Sequence, residues 1–229
     1  MYIKFFKRFF DLTISILALI VLSPLFLIVA VAIKATSKGP AIFKQVRLGK
    51  NGKTFKMYKF RSMCLNAESI GTGQYSFKND PRVTKVGRFI RATSIDELPQ
   101  LVNIIKGDMS LIGFRPTLTY HPWPFDKYTD EQKKMFRLRP GLTGWAQIHG
   151  RKDVLWEDRI AMNVWYSENV SFWLDVKIFF ITIKKVLKNE DNNDTDISSK
   201  ITINDEQPHS DDNINVFAET DKNHLSRQQ

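Results

Sequence analysis

At 229 residues the chain has room for one domain with appendages. Its 43% hydrophobic content excludes both a wholly disordered chain and a multi-span membrane bundle. One cysteine, Cys64, excludes a disulfide framework or a multi-cysteine zinc site, and four histidines are too few for a histidine-rich centre, so any metal is expected on oxygen ligands. The net charge of +10 is unevenly divided. From Glu190 onward there are ten acidic residues against three basic ones, whereas residues 1–189 carry 31 basic and 14 acidic residues. A basic body of this kind suits phosphate-bearing partners: nucleic acid, anionic lipid or phosphorylated small molecules.

Residues 12–33 run for 22 residues without a charge. As one helix they would extend about 33 Å, enough for a bilayer core of roughly 30 Å. The run is longer than a signal-peptide core and is followed by lysines rather than a cleavage site. Both flanks are basic, with Lys4, Lys7 and Arg8 before and Lys34, Lys38 and Lys44 after, which places both ends in the cytoplasm. Ser23-Pro24 lies at the middle of the run. Pro24 removes the donor for the carbonyl of residue 20 and should bend the helix, and the Ser23 hydroxyl can serve that carbonyl instead. A re-entrant helix-break-helix hinged at Ser23 and Pro24 satisfies these features, with a plain spanning helix as the alternative.

Further along, Ile42–Val46 and Thr54–Phe60 alternate apolar and basic residues around Gly49-Lys-Asn-Gly52 and predict a β-hairpin. Residues 63–83 predict a loop. A helix is expected from about Ile95 to Lys106, closed by Gly107. Residues 114–128, with three prolines and five aromatics, predict an irregular packed segment. Asp130–Leu138 and Trp156–Ser167 look helical, separated by the turn-rich Arg139-Pro-Gly-Leu-Thr-Gly144. Residues 171–188 form an apolar helix edged by Lys177, Lys184, Lys185 and Lys188, suited to a core or to the membrane interface. Residues 189–229 read as an acidic disordered tail.

Among few acids, Asp96-Glu97 stand together. Ser94-x-x-Glu97 fits a capping box, and the pair could do no more than stabilise a helix start. The alternative is chemical. A carboxylate at a helix N-terminus beside arginines is expected to stay ionised with a depressed pKa, and an ionised aspartate can attack phosphorus. Phosphoryl transfer also needs charge neutralisation, and Lys59, Arg61, Arg88, Arg91, Arg115, Arg137, Arg139 and Arg151 supply cations. Arg115-Pro116 and Arg139-Pro140 fix the backbone beside two of them.

Four stretches, KRFFDLTISI, FKMYKFRSM, TKVGRFIRATSIDELPQLVNIIKGDMSLIG and RPGLTGWAQIHGR, together with the Ser23-Pro24 break, resemble the bacterial sugar transferase family, the small monotopic phosphoglycosyl transferases. The resemblance runs from about residue 3 to 188. It implies an α+β, mostly helical fold: a re-entrant anchor over residues 1–38, a catalytic domain over 39–188 with a small β-hairpin and amphipathic interfacial helices around a cytoplasmic-face active site, and the tail. It implies transfer of a sugar-1-phosphate from a UDP-sugar to polyprenyl (undecaprenyl) phosphate at the bacterial inner membrane, releasing UMP. Asp96 would be the nucleophile and a ligand of Mg²⁺ (or Mn²⁺), assisted by Glu97. Lys59, Arg61, Arg88, Arg91, Arg115, Arg139, Gln147 and Arg151 would bind phosphate and nucleotide. The other partners implied are membrane phospholipid and downstream glycosyltransferases, without nucleic acid. Larger members carry further N-terminal spans, whereas this sequence opens on the catalytic unit. Two positions depart from the family pattern: Gly113-Phe114-Arg115-Pro116 stands for Gly-Pro-Arg-Pro, and His149 for a frequent Asn.

Three rival functions make different predictions. A membrane-tethered nucleic-acid binder explains the charge but leaves Asp96-Glu97 idle. A membrane-surface scaffold predicts a silent Asp96→Asn. An enzyme moving the whole sugar would release UDP rather than UMP.

Overall fold

The computed structural model describes residues 2–70, 76–77, 79–150 and 154–188. Arg151 and the acidic tail lie outside them. The described part is mostly helical, with two small sheets and a long apolar N-terminal helix.

That helix, α1 (Lys7–Thr36), follows a π-helical turn at Tyr2–Phe6. Secondary structure continues through Pro24, so the break expected at Ser23-Pro24 is absent as a break. The compensation is the expected one: Ser23 Oγ donates to the Ile20 carbonyl at 2.8 Å, the group that Pro24 cannot serve.

One face of α1 is seated on the rest of the domain along nearly its whole length. Near its start, Asp11 accepts from Ser110 Oγ and from the Leu111 amide. In the middle, Leu19 and Leu22 pack with Leu101, Ile104 and Met109. Towards its end, Val29 and Ile33 pack with Phe60 and Ile90. The opposite face leaves Leu17, Ile20, Val21, Leu27, Ile28 and Val31 exposed.

Lys7 and Arg8, read in the sequence as flanking charges that set topology, also hold the helix to the domain. Lys7 is buried against Asp175 at 2.5 Å and donates to Tyr166. Arg8 donates to the carbonyls of Ile104 and Ile105.

The expected hairpin forms as β1 (Ile42–Leu48) and β2 (Thr54–Phe60), antiparallel, with Ile42 opposite Phe60 and Leu48 opposite Thr54. Its turn places Asn51 and Gly52 at positive φ, which asparagine and glycine tolerate. The loop that follows is pinned by an ion pair absent from the sequence reading, Arg82 to Asp80 at 2.7 Å, with Arg82 also donating to the Ala67 and Ile70 carbonyls.

Next come α2 (Lys85–Ala92), a 3₁₀ turn at Ile95–Glu97 and α3 (Gln100–Lys106), ended by Gly107 in the left-handed region. A short parallel pair joins β3 (Ser110–Ile112) to β4 (Gly141–Thr143), and both strands escaped the sequence reading. Between them lie α4 (Asp130–Lys133), with a complete Thr129/Gln132 capping box, and a 3₁₀ turn. Phe114, Tyr128 and Phe136 pack there with Leu48, Ile160 and Val164.

The chain closes with α5 (Trp145–Ile148), α6 (Trp156–Asn169) and α7 (Phe172–Leu187). On α7, Asp175 and Ile178 are buried, while Trp173, Phe180, Ile183 and Val186 are exposed.

Candidate active site

The acid pair is positioned by two close backbone approaches. On α2, Gly87 lies against the Ser62 main chain, and a Cβ there would sit 1.8 Å from the Ser62 carbonyl oxygen. This docks the helix that carries Arg88 and Arg91. After α2, Ser94 takes φ +57, a left-handed residue that turns the chain into Ile95–Glu97. The capping box expected at Ser94 does not form: its side chain caps no amide, the acids occupy a 3₁₀ turn, and α3 begins only after Pro99.

The second approach joins the two glycine-rich motifs. A Cβ on Gly141 would meet the Gly113 nitrogen at 2.1 Å, and one on Gly144 the Gly113 oxygen at 1.8 Å. This interlock delivers Arg115 to the acids.

The two carboxylates have different surroundings. Glu97 Oε1 accepts from Lys59 Nζ at 2.9 Å and from Arg115 Nη2 at 3.1 Å. Asp96 has no cation within ion-pair distance among the described residues. Burial, with Glu97 beside it, pushes the Asp96 carboxyl up to about 6 despite Lys59, Arg91 and Arg115. The depressed pKa expected from the sequence is therefore corrected: removal from water outweighs cations that sit nearby without pairing.

Asp96 and Glu97 line a cleft of about 1670 Å³. Lys59, Arg88, Arg91, Arg115 and Gln147 line it with them. Arg61 lines it too, but its Nη atoms are committed to the Ser37 and Lys38 carbonyls and Ser37 Oγ at the end of α1. Arg139 is absent from the lining. It donates to the Gly107 carbonyl, at the far end of α3 from the acids.

Sequence reasoning missed several lining groups. Arg47 on β1 is one of them, and burial and the nearby Arg115 pull its guanidinium down to about 10. Trp156, Arg159, Ile160 and Asn163, spaced for one face of α6, also line the cleft. Asn163 Oδ1 and both amide atoms of Gln147 are buried with no protein partner. A buried amide without a partner is costly, so such groups mark where a ligand's polar atoms belong. The one signal in the sequence was Asn163, a polar residue between the apolar Ile160 and Val164 of α6.

Among the described residues no group of three or more His, Cys, Asp and Glu gathers around one point. Asp96 beside Glu97 still fits Mg²⁺, which commonly takes one or two carboxylates and completes its shell with substrate phosphates and water.

These features define a class: a catalytic domain seated on an apolar helix, with an acid pair inside a cationic cleft. The chain belongs to the bacterial sugar transferase family, which residues 2–189 match. It is 45% identical over 185 residues to the uncharacterized sugar transferase EpsL of Bacillus subtilis, covering 80% of this chain and 88% of that one. It is 40% identical over 201 residues to an undecaprenyl-phosphate galactose phosphotransferase of Salmonella typhimurium, covering 82% and 41%. It is 45% identical over 186 residues to a UDP-N-acetylgalactosamine-undecaprenyl-phosphate N-acetylgalactosaminephosphotransferase of Aeromonas hydrophila, covering 80% and 44%. The chain thus spans less than half the length of the last two relatives.

Proposed function

We propose that this protein transfers a sugar-1-phosphate from a UDP-sugar to polyprenyl phosphate, as the names of its relatives describe for them. The observation that carries the mechanism is the division of labour between the acids. Glu97 holds Lys59 and Arg115 in place, while Asp96, unpaired and half-buried, keeps its oxygen available. An Asp96 oxygen attacks the phosphorus that bears the sugar. The bond to the departing UMP oxygen breaks, and Lys59, Arg91 and Arg115 balance the charge that UMP carries away. A phosphate oxygen of the polyprenyl acceptor then attacks the same phosphorus, releasing Asp96 and forming the diphosphate. Mg²⁺ held by Asp96 would supply further charge neutralisation at the diphosphate. The Gln147 amide and Asn163 Oδ1 offer one donor and two acceptors to the donor substrate.

Membrane placement follows the same reading. The apolar outer face of α1 lies in one leaflet, with both ends of the unbroken helix on the same side rather than across the bilayer, and the cleft faces the cytoplasm, where nucleotide sugars are found.

Radiolabel transfer from a panel of UDP-sugars into polyprenyl phosphate tests the proposal. Organic-phase label with UMP as co-product is expected. UDP as co-product would mean whole-sugar transfer. Excess EDTA should abolish turnover and Mg²⁺ restore it, and full activity in chelator would remove the metal from the reading.

A further inference from the structure

A second, smaller hollow of about 220 Å³ lies on the other side of the acid-bearing turn, against α7. Its lining is apolar: Ile95, Leu98, Leu142, Phe179, Ile183 and Val186 lead it. Only Glu97 and Lys185 bring charge. Ser94, Glu97 and Gln147 belong to both this hollow and the cationic cleft, so one wall separates them. At its other boundary stand Ile183 and Val186, which are 40% and 46% exposed on the outer face of α7 with Phe180 and Trp173. The hollow therefore runs from an apolar surface to Glu97, with Asp96 on the cleft side of the shared wall.

We propose that this groove seats the first isoprene units of the polyprenyl phosphate acceptor, with the acceptor's phosphate directed towards the wall at Glu97. The inference rests on the transferase reading above and adds to it the place where the lipid enters.

Three observations select this occupant. An aliphatic-lined cavity of about 150 Å³ holds a six-carbon ring, so by that scale this groove takes about nine carbons, or about two five-carbon units. A nucleotide or sugar would leave its polar atoms unpaired against Leu98, Leu142 and Phe179, and the cationic cleft serves them better. The chain's own segment after α7 begins Asn189-Glu-Asp-Asn-Asn-Asp, too polar to occupy an apolar groove.

Two measurements on the full-length protein in phospholipid vesicles test this. The first uses a short-chain polyprenyl phosphate carrying a diazirine on its second isoprene unit. Photolabelling is expected within residues 179–186, and labelling confined to α1 or to residues after 188 would overturn the proposal.

The second uses Ile183→Trp, which fills the groove and preserves the interfacial character of α7, because tryptophan favours that depth. The KM for polyprenyl phosphate should rise at least tenfold. UMP release without acceptor and flotation with vesicles should match wild type. An unchanged acceptor KM, or an equal fall in acceptor-free UMP release, would overturn it. Photolabelling does not depend on turnover. Absent transfer with labelling at 179–186 counts against the reaction, while transfer with labelling elsewhere counts against the groove.

Discussion

At Asp96 the chemistry requires a charge that the fold resists. Its carboxyl stands at about 6, above the ordinary 3.8. An acid whose folded pKa is raised favours the folded state at pH below its unfolded value, and that contribution is lost as pH rises through the folded value. At pH 7.5 the ionised side chain is therefore destabilising. Asp96→Asn should lose turnover by several orders of magnitude yet melt higher, by on the order of 1–2 kcal/mol at pH 7.5, with the advantage fading towards pH 4. Thermal unfolding of both proteins across pH checks the sign. Retention of more than about a tenth of wild-type rate, a deficit under roughly 1.4 kcal/mol, would end the case for a covalent aspartate. The same titration acts on wild-type activity: kcat/KM for the nucleotide sugar should fall about tenfold per unit below pH 6, because protonated Asp96 cannot attack.

Among the elements, the hairpin and the helices over 130–137, 156–169 and 172–187 were legible because periodicity and turn residues are local signals. What was not legible depends on partners distant in sequence. The strands β3 and β4 have three residues each and pair across about thirty positions, too short to show alternation. The expected capping box matched its residue spacing, but Ser94 is left-handed and its side chain makes no capping bond, so the spacing alone misled. Arg139 matched a motif beside the site and yet caps α3, whereas Asn163 carried no motif and lines the cleft. Gly113, Gly141 and Gly144 look like ordinary loop glycines until their backbones are seen in contact. Gly141→Ala should therefore be far more damaging than its size suggests. A Cβ 2.1 Å from a main-chain nitrogen forces β3 and β4 apart, and a loss of about 2 kcal/mol or more is expected, together with misplacement of Arg115. Denaturant titration in micelles, read beside KM for the UDP-sugar, distinguishes this from a harmless loop change.

For the whole molecule, the question is how a 30-residue helix relates to the membrane. A spanning α1 would carry one of its ends away from the catalytic domain, yet both ends are bound to it. At the start, Lys7 meets Asp175, Arg8 meets the end of α3, and Asp11 meets Ser110 and Leu111. At the end, Val29 and Ile33 are buried with Phe60 and Ile90, and Arg61 holds the Ser37 and Lys38 carbonyls. Removing one partner of a buried ion pair costs about 3–5 kcal/mol, so stripping the Lys7 end alone would be expensive. Asp175→Ala should accordingly lower stability in micelles by about 3 kcal/mol, and Lys7→Met combined with Asp175→Leu should recover most of it. If α1 keeps both attachments in the bilayer, cysteines at positions 3 and 38, in a Cys64→Ser background, must lie on the same side. Neither should react with an impermeant thiol reagent applied from the periplasm, and both should react once the membrane is opened. Position 3 labelled from outside would mean that the attachments of Lys7, Arg8 and Asp11 give way to a spanning helix. Asp175→Ala, which weakens that end selectively, should be the variant in which such outside labelling first becomes detectable.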